Sequence, residues 1–171
     1  MIVLFRHGEC EHNIENRFSC SINSKSSLTN NGMKMVEEFS NKLKQVIDKD
    51  NIKIYSSPLL RAEQTALIIS DVLDYFKNII FDDRLKEVYM GNFDERPVNE
   101  FKYNIYDLSH FSEYGGESYD DVNNRLNSFL NEIDNSKINI IVSHALPLRQ
   151  MNKILTGNED KIKVSNYIII N

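Results

Sequence analysis

Met1-Ile2-Val3-Leu4-Phe5-Arg6-His7-Gly8-Glu9 sets an unbroken apolar run directly against an arginine, a histidine and a glycine. An apolar run that stops at charge after five residues has the length of a strand buried on both faces, and is too short for a signal-peptide core or a membrane span. Apolar runs recur at Ile52–Tyr55, Ile79–Phe81, Ile138–Val142 and Tyr167–Ile170, and each reads as a further strand. Helical stretches are expected between them, at Thr29–Ile47 (entered through Leu28-Thr29-Asn30-Asn31-Gly32), Arg61–Phe76, Ser118–Ile133 and Leu148–Leu155. This alternation predicts an α/β fold, a three-layer α/β/α sandwich around a mostly parallel sheet, with ligands bound at the carboxyl ends of the strands.

Two strand ends meet that rule. Ile140-Ile141-Val142-Ser143-His144-Ala145 repeats the opening pattern, an apolar strand running into a histidine, with Pro147 and Arg149 following. A third segment, from Ile54 to Ala66, places Arg61 near the N-terminus of a helix that follows a strand. The unpaired N–H groups and the dipole there favour an anion. His7, held at a sheet edge, is placed to attack a phosphate; Arg6 supplies a planar donor fork, and Gly8 is expected to let the backbone turn sharply or approach a ligand. Taken alone, Arg-His-Gly reads more readily as a packed, hydrogen-bonded histidine. The second strand-end histidine is what turns the reading toward a site.

With 171 residues, 41% of them hydrophobic, the chain suits a single domain over residues 1–171. The irregular region at about 93–119 mixes Phe101, Tyr103, Tyr106, Phe111, Tyr114 and Tyr119 with several acids, and is expected to form an insertion that partly lids the cleft. A net charge of -5 argues against nucleic-acid or membrane partners, while a local arginine cluster can still draw in a small phosphorylated metabolite. Cys10 and Cys20 are expected as free thiols and the protein as cytoplasmic; nothing bears on its oligomeric state. A metal site made from His7, Cys10, His12 and His144 is the rival reading. Its spacing is poor, because in an extended segment His7 faces away from Cys10 and His12, and in a helix the offsets of three and five do not share one face well. Neither a metal nor a cofactor is therefore expected.

The same segments resemble the histidine phosphatase superfamily, the phosphoglycerate mutase-like proteins. The resemblance rests on Arg6-His7-Gly8-Glu9 with Asn13, the Ser56 to Ala66 block, Leu85-Lys86-Glu87 with Gly91, Gly115-Gly116-Glu117-Ser118, and Val142-Ser143-His144, in family order over the whole chain. It implies that His7 attacks phosphorus and transiently carries the phosphoryl group. It further implies that Arg6, Arg61 and His144 hold the non-bridging oxygens, that Glu87 donates the proton, and that Asn13, Arg17 and Ala145 contact the substrate. Such residue types suit phosphoryl transfer, which needs in-line positioning and positive charge more than covalent chemistry. The implied activity is metal-independent hydrolysis of a phosphate monoester of a small metabolite, with inorganic phosphate as product. The alternatives are a phosphoglycerate-type phosphomutase and a non-catalytic phosphate-binding protein. Ser57 and Ser143 are expected to brace the site, and Glu9 and Glu63 to orient arginines or face water. Arg84 and Arg149 are weaker candidates than Arg17 for a second acidic group. The chain departs from the family pattern at Ser19-Cys20-Ser21-Ile22, where many relatives have Gly-Trp after Arg-Phe, and at Ala145, where a glycine is expected. The first departure leaves substrate specificity open.

Overall fold

A computed structural model describes residues 1–75 and 77–171. Five strands form one sheet: β1 (Ile2–Arg6), β2 (Ile52–Ser56), β3 (Ile80–Phe81), β4 (Ile138–Ser143) and β5 (Tyr167–Ile170), in the order β3-β2-β4-β1-β5. β3, β2, β4 and β1 run parallel to their neighbours, and only β5 is antiparallel, along the outer edge of β1. Because successive side chains in a strand alternate between faces, each apolar run feeds two cores. Val3, Phe5, Ile54, Ile140 and Val142 pack with residues of α2 (Asn30–Lys44) and α3 (Leu60–Val72). Leu4, Tyr55 and Ile141 pack on the other face with residues of α4 (Tyr119–Glu132) and α5 (Ala145–Thr156). These are the three expected layers.

The helix boundaries moved for local reasons. α5 begins at Ala145 rather than Leu148, because a proline in the first helical turn gives up an N–H that has no intrahelical partner there, so Pro147 sits inside the helix. His144 thereby becomes its N-cap residue. α2 ends at Lys44, three residues short of Ile47. The expected helix from Arg61 ends at Val72, and Phe76 lies outside the described residues. A short helix α1 (Glu11–Glu15) was not foreseen; five residues carry too little periodicity to announce themselves. No helix among the described residues is long and apolar enough to cross a membrane.

Residues 93–119 form 3-10 turns at Val98–Glu100 and Leu108–Tyr114 around aromatic side chains that join the core shared with α4 and α5. Phe101 stacks on Phe111 with centroids 4.9 Å apart, and Phe93 meets Tyr114 edge-on at 4.7 Å. Three backbone hydrogen bonds tie the segment to the stretch after α1: Phe18 N–H donates to Arg96 O (2.9 Å), Glu95 N–H to Phe18 O (3.2 Å) and Val98 N–H to Asn16 O (2.9 Å).

Gly8 serves a different need from the turn or ligand approach expected of it. A Cβ on Gly8 would lie 2.8 Å from Val36 Cγ2, and one on Gly32 would lie 2.1 Å from Glu9 O. The chain leaving β1 therefore rests on the first turn of α2, and both glycines are set by that contact. Thr29 and Asn31 fasten the crossing by donating to Glu9 Oε1 (2.8 and 3.2 Å), so Glu9 orients a helix start and not an arginine. Gly32→Ala should push back the loop that follows His7, lowering stability by about 1–3 kcal/mol. Urea unfolding would measure this, and an unchanged midpoint would remove the packing argument.

Candidate active site

The parallel register brings the two histidines together. Arg6 lies opposite Ser143 in the β1–β4 pairing, so His7 and His144 leave the sheet at adjacent strand ends, with His7 N–H donating to Ser143 O (3.1 Å). Their ring centroids are 5.0 Å apart. β2 adds the next position: Ser57 N–H donates to Val142 O (2.9 Å), and α3 then starts at Leu60, which places Arg61 in its first turn.

His7 is 3% exposed and its tautomer follows from its neighbours. Nδ1 lies 2.7 Å from Gly8 O, and Nε2 lies 3.2 Å from Arg61 Nε. A carbonyl can only accept and a guanidinium can only donate, so Nδ1 carries the hydrogen and Nε2 the lone pair. Burial first, then the Arg61 and Arg6 charges, hold this imidazole well below the ordinary histidine range, against the pull of the Gly8 carbonyl. Arg61 is fixed by Ser19, donating through Nη1 to Ser19 Oγ (3.1 Å) and through Nη2 to Ser19 O (2.7 Å). Thr65 completes the brace, accepting from Gly8 N–H (3.0 Å) and donating to Arg61 O (2.7 Å).

His144 is fully buried, and its Nε2 is 2.8 Å from Ser57 Oγ. Among the described residues its Nδ1 is buried without a partner, and so is Arg6 Nε. Arg6 is otherwise anchored through Nη1 to Ile162 O (3.0 Å). Burial, then Arg61, His7 and Arg6, keep His144 well below its ordinary value as well. Ser143 Oγ donates to Leu85 O (2.7 Å), tying the end of β4 to the loop that presents Glu87. Burial of the Glu87 carboxyl raises it above the ordinary range, opposed by the Val88 N–H on Oε1 (2.9 Å) and by Arg61, Arg6 and Arg125.

Arg6, His7, Asn13, Arg17, Arg61, Glu87 and Ala145 line one cavity of about 120 Å³, with the His144 ring beside His7 but not itself lining it. Asn13 caps α1 through Oδ1, which accepts from Cys10 N–H (3.1 Å) and Cys10 Sγ (3.2 Å), and this leaves the amide Nδ2 to the cavity. Arg17 stands at the mouth, 3.7 Å from Glu15. Arg84 and Arg149 are engaged elsewhere, Arg84 with Asp82 and Glu132 and Arg149 with Glu159. From the 93–119 segment, Val98, Ile105 and Tyr106 reach the wall. Among the described residues no group of three or more His, Cys, Asp or Glu is placed to hold a metal ion. Of the rival ligand set, His7, Cys10 and His12 line this same cavity, but Cys10 Sγ is engaged with Asn13 and His12 Nε2 with Glu95 Oε2 (2.7 Å).

The sequence profile of the histidine phosphatase superfamily (branch 1) matches residues 2–164. The chain belongs to this superfamily. A 2,3-bisphosphoglycerate-dependent phosphoglycerate mutase of Thermoplasma acidophilum is 32% identical over 152 residues, which are 86% of this chain and 72% of the mutase. Phosphoserine phosphatase 1 of Hydrogenobacter thermophilus is 29% identical over 168 residues, 91% of this chain and 76% of that one. The crystal structure of the α-ribazole phosphatase from Shigella flexneri superposes with a TM-score of 0.79 at 20% identity, covering 99% of this chain and 90% of that one. The relatives of this superfamily member thus include both phosphatases and a mutase.

Sequence reasoning missed Ser19, Thr65 and Glu95. Ser19 grips Arg61 and Glu95 holds His12, across separations of 42 and 83 residues. No spacing rule reaches that far. Glu95 also adopts a left-handed backbone (φ 62°) that a non-glycine residue enters only at a cost, a feature that only the fold reveals.

Proposed function

We propose that this protein is a phosphatase that hydrolyses a phosphate monoester of a small metabolite through a phosphohistidine on His7, with Glu87 as proton donor. The observation that carries the reading is the His7 tautomer: Nδ1–H bound to Gly8 O leaves the Nε2 lone pair beside Arg61 in the cavity. In the first step Nε2 bonds to phosphorus as the bond to the leaving oxygen breaks, and Glu87 gives that oxygen its proton. In the second, water attacks the phosphorus, Glu87 takes the water's proton, and orthophosphate and neutral His7 are released. Arg6 and Arg61 stabilise the phosphoryl oxygens by charge, and the unpartnered Arg6 Nε and His144 Nδ1 gain in the anion the acceptor that burial denies them. Ala145 opens α5, so its N–H has no helical acceptor and faces the same anion; Asn13 Nδ2 and Arg17 approach from the mouth.

The mutase relative favours a second reading, in which phospho-His7 passes its group to another oxygen of the substrate. Glu87 also borders a neighbouring cavity of about 460 Å³, which gives water a route to the phosphohistidine and supports hydrolysis. Incubation with a panel of phosphorylated metabolites and EDTA separates the two: orthophosphate release supports the phosphatase, whereas isomerised substrate without orthophosphate establishes the mutase. Arg61→Ala should weaken competitive inhibition by orthophosphate roughly 10- to 100-fold, the scale of a charge-assisted contact worth about 1.5–3 kcal/mol. An unchanged inhibition constant would show that Arg61 does not hold the anion.

A further inference from the structure

The 460 Å³ cavity shares Glu87 with the phosphate-side cavity and is walled by Cys20, Ser21 and Ile22, the residues directly after the Ser19 that grips Arg61. If Glu87 protonates the leaving oxygen, the rest of the leaving group lies next to Glu87, and this cavity is the larger space there. Three cations border it, and each is already paired within the chain. Arg125 grips both Glu117 oxygens through Nε (2.6 Å) and Nη2 (3.1 Å). Arg84 is paired with Asp82 (2.7 Å) and Glu132 (2.9 Å), and Lys86 with Asp83 (3.5 Å). A carboxylate or second phosphate entering here would find no unmatched positive charge and would face Asp83 and Glu117. Two apolar side chains are available instead, Ile22 at 56% exposed and Tyr89 at 46%, both lining the cavity.

We infer that this cavity is the leaving-group subsite and that it takes an uncharged alcohol with an apolar or aromatic face, packed against Ile22 and Tyr89. The preferred substrates are then phosphate esters of such alcohols, and not those of three-carbon acids such as glycerate or serine. Ile22 falls in the segment where the sequence departs from its relatives, which is where a change of leaving group would be written. The inference rests on the phosphatase reading for the place of the leaving group, and the test is built on binding so that the two can fail separately.

Titration calorimetry of the wild-type protein with benzylphosphonate and with 3-phosphonopropionate compares an aromatic with a carboxylate-bearing leaving-group mimic, neither of which can be hydrolysed. Benzylphosphonate should bind at least about tenfold more tightly, the scale of burying one small aromatic face. Ile22→Lys, at an exposed position, should shrink or reverse that preference, and Tyr89→Ala should weaken benzylphosphonate alone. Equal or tighter binding of 3-phosphonopropionate by the wild type, or a preference indifferent to both substitutions, overturns the inference. If the aromatic preference holds while no panel ester is hydrolysed, the subsite stands and the phosphatase reading fails.

Discussion

His7→Ala should lower kcat/KM for every substrate by roughly four to six orders of magnitude, the loss seen when the nucleophile of a covalent mechanism is removed. No other group stands ready to replace it. His144 Nε2 is engaged with Ser57, and an Nδ1 that donates to the anion carries a hydrogen and has no lone pair with which to attack phosphorus. The fold should survive, because among the described residues the His7 ring hydrogen-bonds to Gly8 O and Arg61, both held by further contacts. Acid-labile phosphoprotein formed on rapid quenching should vanish with the activity. Appreciable turnover with a native melting curve would assign the nucleophile elsewhere. The same side chain makes a prediction for stability. His7 and His144 are held well below the unfolded value near 6.5, so as pH falls below that value the unfolded chain takes up protons first. The stability present above pH 6.5 is lost as the pH falls toward the folded values, and thermal midpoints should drop between about pH 7.5 and 5. Glu87, raised by burial, has the opposite sign: its contribution is present below the ordinary carboxylate range and is lost as pH rises through the folded value. His7→Ala should flatten the acid-side decline.

Much of this site is legible in the sequence because the sheet does the positioning. A parallel register needs only two apolar runs of similar length to place Arg6 beside Ser143, and so His7 beside His144. Arg61 is readable for the same reason, as it follows β2 by a short turn into α3. What could not be read is whatever depends on side chains meeting across loops. The Ser19–Arg61 and Glu95–His12 contacts join segments without periodicity, and α1 is too short to show one. Gly8 illustrates a subtler limit. The sequence marks it for a sharp turn or a close ligand, whereas the contact that requires the missing Cβ, Val36 on α2, is 28 positions away and invisible until the helix packs. The charge state of the second cavity is likewise hidden, because a sequence shows Arg84, Lys86 and Arg125 as three cations and only the fold shows that each is spent on an acid.

Glu87→Gln should separate the two steps of the reaction. Glutamine keeps the shape and can still accept the Val88 N–H, but it cannot supply a proton. For an alkyl phosphate, whose alkoxide leaves poorly, the first step should slow by roughly 10²- to 10⁴-fold, the usual worth of a general acid. For p-nitrophenyl phosphate, whose phenolate leaves unaided, that step should be nearly untouched. Attack of water on phospho-His7 would still lack its base, so nitrophenol should appear as a burst of one equivalent followed by a slow steady state. The pH profile of the wild type follows from the same assignment. His7 must be neutral and Glu87 protonated, so the acid limb of kcat/KM should fall below the ordinary histidine range and the alkaline limb above the ordinary carboxylate range. In Glu87→Gln the alkaline limb should disappear while the acid limb remains. Equal loss of rate on alkyl and nitrophenyl esters, without a burst, would mean that Glu87 serves the electrostatics of the cavity and that the proton comes from another group.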